Sequence, residues 1–250
     1  MIPEQKIKEQ MKFTLEGTEF PKLGKKYKAK VRDCYLQEDK IFLISTDRQS
    51  AFDRILASIP FKGQVLTQTS AFWFENTKDI IKNHVIDVPD PNVVVGKKLE
   101  VFPFEIVVRG YITGVTDTAA WTAYSKGGRN FCGNILPEGL KKNQKFNKPI
   151  ITPNTKSVEH DEKISGDEIV KRKLMTKEQW DYISEKALKL FRRGTRIAAN
   201  KAAGWHALSR GSHLTSVAGS GIFGGSRVGS SRWFDDRGGQ SCRRCSVERF

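Results

Sequence analysis

Residues 45–53 read Ser45-Thr46-Asp47-Arg48-Gln49-Ser50-Ala51-Phe52-Asp53 and follow directly on the apolar run Ile41-Phe42-Leu43-Ile44. A short apolar run of this kind suits a buried strand, which would deliver two carboxylates, one guanidinium and three hydroxyls onto the turn at its end. That set matches an anionic ligand bearing hydroxyl groups, because a guanidinium donates paired hydrogen bonds and carboxylates accept from hydroxyls. The competing reading is architectural: a capped strand-to-helix turn in which Ser45 or Asp47 is the cap. A second set lies just upstream. From Tyr27 to Tyr35 the chain alternates, placing Tyr27, Ala29 and Val31 on one face of a candidate strand and Lys28, Lys30 and Arg32 on the other. Three aligned cations could cradle a triphosphate; a solvated lysine face is the alternative.

These residues need elements to hold them. With a polar break at Glu38-Asp39-Lys40, residues 27–45 read as a hairpin. Residues 62–83 place Val65, Leu66, Thr69, Phe72, Trp73, Ile80 and Ile81 near a 3.6-residue period, which predicts an amphipathic helix with its aromatics in the core. Val93 to Val101 predicts a short hairpin, and Phe104 to Val108 a strand ending at Arg109-Gly110. Residues 125–157, rich in Gly, Asn, Lys and Pro, predict a long irregular segment. Ser165-Gly166-Asp167-Glu168 and Thr176-Lys177-Glu178-Gln179 both fit the capping box, so a helix is expected after each. The second carries Trp180, Ile183, Ala187, Leu190, Phe191 and Ile197 on one stripe, which should pack on the rest of the domain.

Composition narrows the class. The chain has 250 residues, 38% of them hydrophobic, enough for one large domain or two lobes. No apolar run approaches the length of a membrane span and the first residues carry no secretory core, so a cytoplasmic protein is expected. Cys34, Cys132, Cys242 and Cys245 are too scattered for a disulfide framework, and the C-x-x-C pair at 242–245 is half a zinc site at best. A net charge of +15 invites an anionic partner, nucleic acid or a phosphorylated small molecule. Against nucleic acid, the aromatics fall on core stripes and the tail holds a disproportionate share of the charge. Beyond Asn200 the chain turns rich in Gly, Ser and Arg and loses periodic apolar patterning, so residues 201–250 are expected to be a disordered tail.

Six stretches occur in order. They are Tyr27 to Tyr35; Ser45 to Asp53; Pro103 to Gly114; Trp121 to Tyr124 with Arg129 to Asn134; Thr152 to Lys156 with Glu159-His160-Asp161; and Gly194 to Ala199. Together they closely resemble the phosphoribosylaminoimidazole-succinocarboxamide synthase (SAICAR synthetase) family, over about residues 10–200. The resemblance implies an α+β, two-lobed fold: an antiparallel N-terminal lobe for ATP over residues 1–102, a larger mixed lobe for substrate over 103–200, and the active site between them. It implies an ATP-dependent ligase of de novo purine synthesis joining carboxyaminoimidazole ribonucleotide to L-aspartate, with Mg2+ and no nucleic acid or membrane partner.

Residue by residue, Lys28, Lys30, Arg32 and Lys156 would meet the nucleotide. Arg109 would clamp a substrate carboxylate, unless it pairs internally with Glu105 or Asp117, and Arg109 and Lys30 are the expected catalytic pair. Asp47, Arg48, Ser50, Asp53, Thr116, His160 and Asp161 would hold the ribonucleotide or aspartate; a surface histidine is the alternative for His160. No metal ligand is assigned. The chain departs from the family pattern in two places. Ala29 stands where the family's first loop has glycine, which would cost affinity if the backbone there needs positive φ or must approach a phosphate closely. The family's later L-V-D-x-K-x-E-F-G strand and acidic segment are not found after Asn200, so a catalytically dead fragment is the alternative to an active ligase.

Overall fold

The computed structural model describes residues 2–51, 54–116, 119–155, 162–208 and 228–231. The chain divides into two compact units, the first running through Glu100 and the second beginning at Val101.

The first unit is built on a five-stranded antiparallel sheet. After helix α1 (Glu4–Gln10), strands β1 (Lys25–Lys28), β2 (Arg32–Leu36) and β3 (Lys40–Ser45) follow one another as hairpins. Strand β4 (Arg48–Ala51) pairs with β5 (Arg54–Ser58) as a separate ribbon. Helix α2 (Lys62–Glu75) precedes the hairpin of β6 (Val85–Asp90) and β7 (Val93–Lys97), and the sheet order is β1-β2-β3-β7-β6. Strand β6 sits at the edge, where Pro89 is tolerated because an edge strand need not donate on both sides. The core holds Cys34, Tyr35, Ile44 and Val94. Tyr35 also ties down the arm before β1, its hydroxyl donating to the Thr18 carbonyl (2.9 Å) and accepting from the Phe20 N–H (3.0 Å).

Three expectations for this unit are corrected. The single strand from Tyr27 to Tyr35 is broken at residues 29–31, so Lys28, Lys30 and Arg32 do not share one strand face. The predicted helix 62–83 ends at Glu75. Its buried positions are Gly63 and Thr67, while the aromatics Phe72 and Trp73, expected in the core, are half-buried and Val65 and Leu66 are exposed. The reason is close docking. An added Cβ on Gly63 would fall 2.3 Å from the Ser45 carbonyl oxygen, so the helix meets β3 along a small, polar stripe that apolar periodicity does not detect.

The second unit centres on the long strand β8 (Val101–Tyr111), followed by α3 (Ala120–Ser125) and the short hairpin of β9 (Asn130–Phe131) and β10 (Asn134–Ile135). Strand β11 (Lys145–Thr155) then lies antiparallel on β8. Part of the segment expected to be irregular is therefore a full sheet strand. Its two prolines and a register shift between Lys145 and Ile150 hid it from a reading by alternation. Helices α4 (Gly166–Lys171) and α5 (Lys177–Leu208) complete the unit, and β12 (Val228–Ser231) pairs with the other side of β8. Both sequences cap a helix, but only the second closes as a reciprocal box, since the Glu168 carboxylate accepts from Arg172 instead. The Ser165 hydroxyl accepts from the Glu168 N–H (3.1 Å), while Thr176 and Gln179 exchange side-chain and backbone bonds at 2.9 and 3.2 Å.

The stripe on α5 buries Ile183 and Ala187 against Phe102, Phe104 and Ile106 of β8, together with Ile164, Ile169 and Met175. Each fully buried side chain of that size contributes about 1.5–3 kcal/mol relative to exposure. A second cluster joins Ile112, Ala120, Tyr124, Phe131, Leu136 and Phe146. The tail expected to be disordered falls mostly outside the described residues; within them α5 continues to Leu208 and β12 forms a strand. No helix among the described residues is long and apolar enough to cross a membrane.

Candidate active site

In the first unit the cations surround a tight connection. Lys28 ends β1, Arg32 opens β2, and Ala29, Lys30 and Val31 link them, closed by a hydrogen bond from the Ala29 N–H to the Arg32 carbonyl (2.8 Å). Lys28 and Lys30 are exposed, Arg32 is half-buried and Ala29 is buried. Ala29 has no positive φ, so the residue that replaces the family's glycine sits in an ordinary conformation without strain.

Beneath this connection lies Arg48, 3% exposed. Its guanidinium donates to the carbonyls of Lys30 (3.1 Å), Glu16 (2.5 Å), Ala29 (2.8 Å) and Arg32 (3.1 Å) and to Oδ1 of Asp33 (2.9 Å). Asp33 is fully buried on β2 and accepts from the Thr18 N–H at 2.8 Å. Burial alone would push its carboxyl pKa up. The bonds from Thr18 and the charge of Arg48 outweigh that and hold it below the ordinary carboxylate value.

Asp47 is equally enclosed. Its two oxygens accept from the Leu15 N–H (2.9 Å) and from the Gly63 N–H in the first turn of α2 (2.9 Å). Asp47 therefore satisfies an N–H in the first turn of α2 from a distance, but the strand-to-helix turn of the architectural reading is not formed: β4 follows, and the N-cap residue of α2 is Phe61. Lys62 reaches back to the Arg48 carbonyl (2.9 Å), and burial lowers its pKa while Asp47 raises it. The expectation that Asp47 and Arg48 touch substrate is thus corrected: their polar atoms are engaged inside the fold. Ser50, on β4, is half-buried. Asp53 lies outside the described residues.

In the second unit Arg109, on β8, is half-buried. Its Nε donates to the Thr152 hydroxyl of β11 (2.9 Å), which donates in turn to the Val107 carbonyl (3.1 Å). The guanidinium carbon lies 5.9 Å from the centre of the Phe131 ring, and Nζ of Lys163 lies 4.9 Å from the same centre. Among the described residues Arg109 makes no ion pair and its two terminal nitrogens make no hydrogen bond. Burial lowers its pKa, and Cys132 and Glu105 push it back up. Cys132 has φ 53°, and burial raises its thiol pKa against the pull of Arg109 and Lys163. Thr116 is exposed, its carbonyl accepting from the Ala119 N–H at 2.9 Å. Asp117, Lys156, His160 and Asp161 lie outside the described residues.

The structure thus gathers Lys28, Lys30, Arg32, Asp47 and Arg48 within one unit and places Arg109 in the other. Sequence reasoning missed Asp33 and Thr46, both fully buried, and Lys163. A carboxylate interrupting an otherwise apolar strand was the available signal for Asp33; Lys163 had none. Among the described residues no three His, Cys, Asp or Glu side chains gather into a metal-holding group.

The model of the SAICAR synthetase family matches residues 25–203. A phosphoribosylaminoimidazole-succinocarboxamide synthase of Legionella pneumophila (strain Paris) is 56% identical over 188 residues, covering 75% of this chain and 60% of that protein. The chain therefore spans about 60% of the length of that curated relative. Among solved structures, SAICAR synthase from Saccharomyces cerevisiae complexed with SAICAR superposes with a TM-score of 0.66 at 32% identity, covering 75% of this chain and 68% of that one. A type-2 SAICAR synthetase in complex with ADP superposes with a TM-score of 0.57 at 26% identity, covering 71% and 70%. With most of its length matched in sequence and in fold, this chain belongs to the SAICAR synthetase family.

Proposed function

We propose that this chain acts in the ATP-dependent joining of carboxyaminoimidazole ribonucleotide to the amine of L-aspartate. The observation that carries this reading is the connection at 28–32, where Lys28 and Lys30 are exposed beside a half-buried Arg32 while the carbonyls of residues 29, 30 and 32 are held inward. Lys28, Lys30 and Arg32 would take the nucleotide phosphates, with Lys30 neutralising charge that develops during phosphoryl transfer. Lys156 would join them. The solved relative in complex with ADP supports the use of a nucleotide.

Arg109 would take a substrate carboxylate. Its Nε is anchored on Thr152, which fixes the plane of the guanidinium and leaves the terminal nitrogens to form a two-point bond. A carboxylate held there is oriented for activation, which supplies part of the barrier lowering through positioning. Ser50, Asp53, Thr116, His160 and Asp161 would complete the ribonucleotide and aspartate contacts. Mg2+ would enter with the nucleotide through phosphate oxygens, where it supplies charge neutralisation; no step above depends on a protein metal cluster. A cytoplasmic setting suits Cys34 and Cys132, both free thiols.

A coupled assay of ADP release tests the reading. Turnover should require ribonucleotide, aspartate and Mg-ATP together. Binding of Mg-ATP without turnover would reduce the chain to an inactive fragment of the ligase, and calorimetry showing no affinity for Mg-ATP would overturn the reading.

A further inference from the structure

All four backbone carbonyls of residues 29–32 are taken by one short segment. Those of Ala29, Lys30 and Arg32 accept from the Arg48 guanidinium at 2.8, 3.1 and 3.1 Å. That of Val31 accepts from both the N–H (3.0 Å) and the hydroxyl (2.9 Å) of Thr46. Thr46 and Arg48 are 0% and 3% exposed, so neither side chain is open to a ligand. A connection this short normally turns some carbonyls to water, and a carbonyl oxygen facing a phosphate repels it. Here the negative ends of the peptide dipoles are drawn inward. The one carboxylate that balances Arg48, Asp33, is also fully buried and withdrawn from the surface.

We propose that Thr46 and Arg48 are positioning residues: a carbonyl-gathering brace that clears negative dipoles from the cationic connection and so sets how strongly it favours each added phosphate. The inference rests on the nucleotide reading given above and deepens it. The brace touches no nucleotide. It acts through Lys28, Lys30 and Arg32, whose backbone it holds by the carbonyl oxygens of residues 29–32. Arginine is required at 48 because a planar fork spans several acceptors at once, whereas an ammonium concentrates its donors on one atom.

The test titrates the full chain with adenosine, AMP, ADP and ATP, comparing Arg48→Lys and Thr46→Val with the parent. Arg48→Lys keeps the charge opposite Asp33, and Thr46→Val removes one hydroxyl at nearly constant volume, so a folded variant is available even where the first is unstable. The preference for ATP over adenosine should fall about tenfold in Arg48→Lys and about threefold in Thr46→Val, with adenosine affinity unchanged. Parallel loss for all four ligands, or an unchanged preference in both variants, would overturn the proposal. Amide exchange gives a readout free of nucleotide: the Ala29 N–H should exchange about tenfold faster in Arg48→Lys while Leu43 and Ile44 of β3 keep their protection. If the parent binds no nucleotide, the functional reading falls; unchanged exchange at Ala29 would sink the brace whatever the parent binds.

Discussion

Arg48 in the first unit is 3% exposed and donates to five protein acceptors, whereas Arg109 in the second is half-buried and is held at Nε by one hydroxyl. Both stand in motifs that read as binding sites, and both carry the same planar fork. The difference lies in what surrounds them. Arg48 has Asp33 at 2.9 Å and a connection full of carbonyls, so its charge and its donors are satisfied within the fold. Arg109 has an aromatic ring and a hydroxyl, which fix its orientation without using its terminal nitrogens. A guanidinium prepared for a ligand is one that is oriented but not saturated.

The largest effect should come from stripping Arg48 of its counterion. Asp33→Ala leaves a buried charge without its partner and should cost about 3–5 kcal/mol in denaturant unfolding of the first unit. A cost near zero would mean that the carbonyls alone suffice. Arg109→Lys should behave in the opposite way: the thermal midpoint holds, while affinity for the carboxylate-bearing substrate falls about ten- to a hundredfold, because an ammonium cannot form the two-point bond. Equal losses of stability in Asp33→Ala and Arg109→Lys would erase the distinction.

A smaller change probes the second unit alone. Thr176→Ala removes half of the reciprocal cap on α5 and should cost about 1 kcal/mol, leaving the unfolding of the first unit untouched. The least effect at neutral pH concerns Asp33 itself. Its folded pKa lies below its unfolded one, so its contribution is complete above the ordinary carboxylate range and is lost as pH falls through the lower folded value. Stability of the first unit should drop in that acid window, and Asp33→Asn should flatten the drop.

Much of the frame was legible before the structure. The apolar run at 41–44 is strand β3, both capping-box sequences open helices, and the stripe on α5 meets β8. Local signals succeed there because the physics is local: a hydroxyl satisfies an N–H three residues away, and a helix face repeats every turn. The role of Arg48 was not legible, since its acceptors at residues 16 and 29–33 are distant in sequence and backbone carbonyls carry no residue code. Nor was β11, whose prolines read as a loop until β8 supplies a partner. Alternation failed at residues 29–31 for a related reason, because the inward pull on three carbonyls breaks a strand that the side-chain pattern would continue.

One carboxylate in this architecture ties together three segments that lie far apart in the sequence. Asp47 joins Leu15 to Gly63 across spans of 32 and 16 residues, and both closures must be made before its two oxygens are satisfied. Gly63 lies in the first turn of α2, so the second closure requires that helix to be docked on β3. Loss of either closure would leave a buried carboxylate oxygen without a donor, so the three segments hold or loosen together.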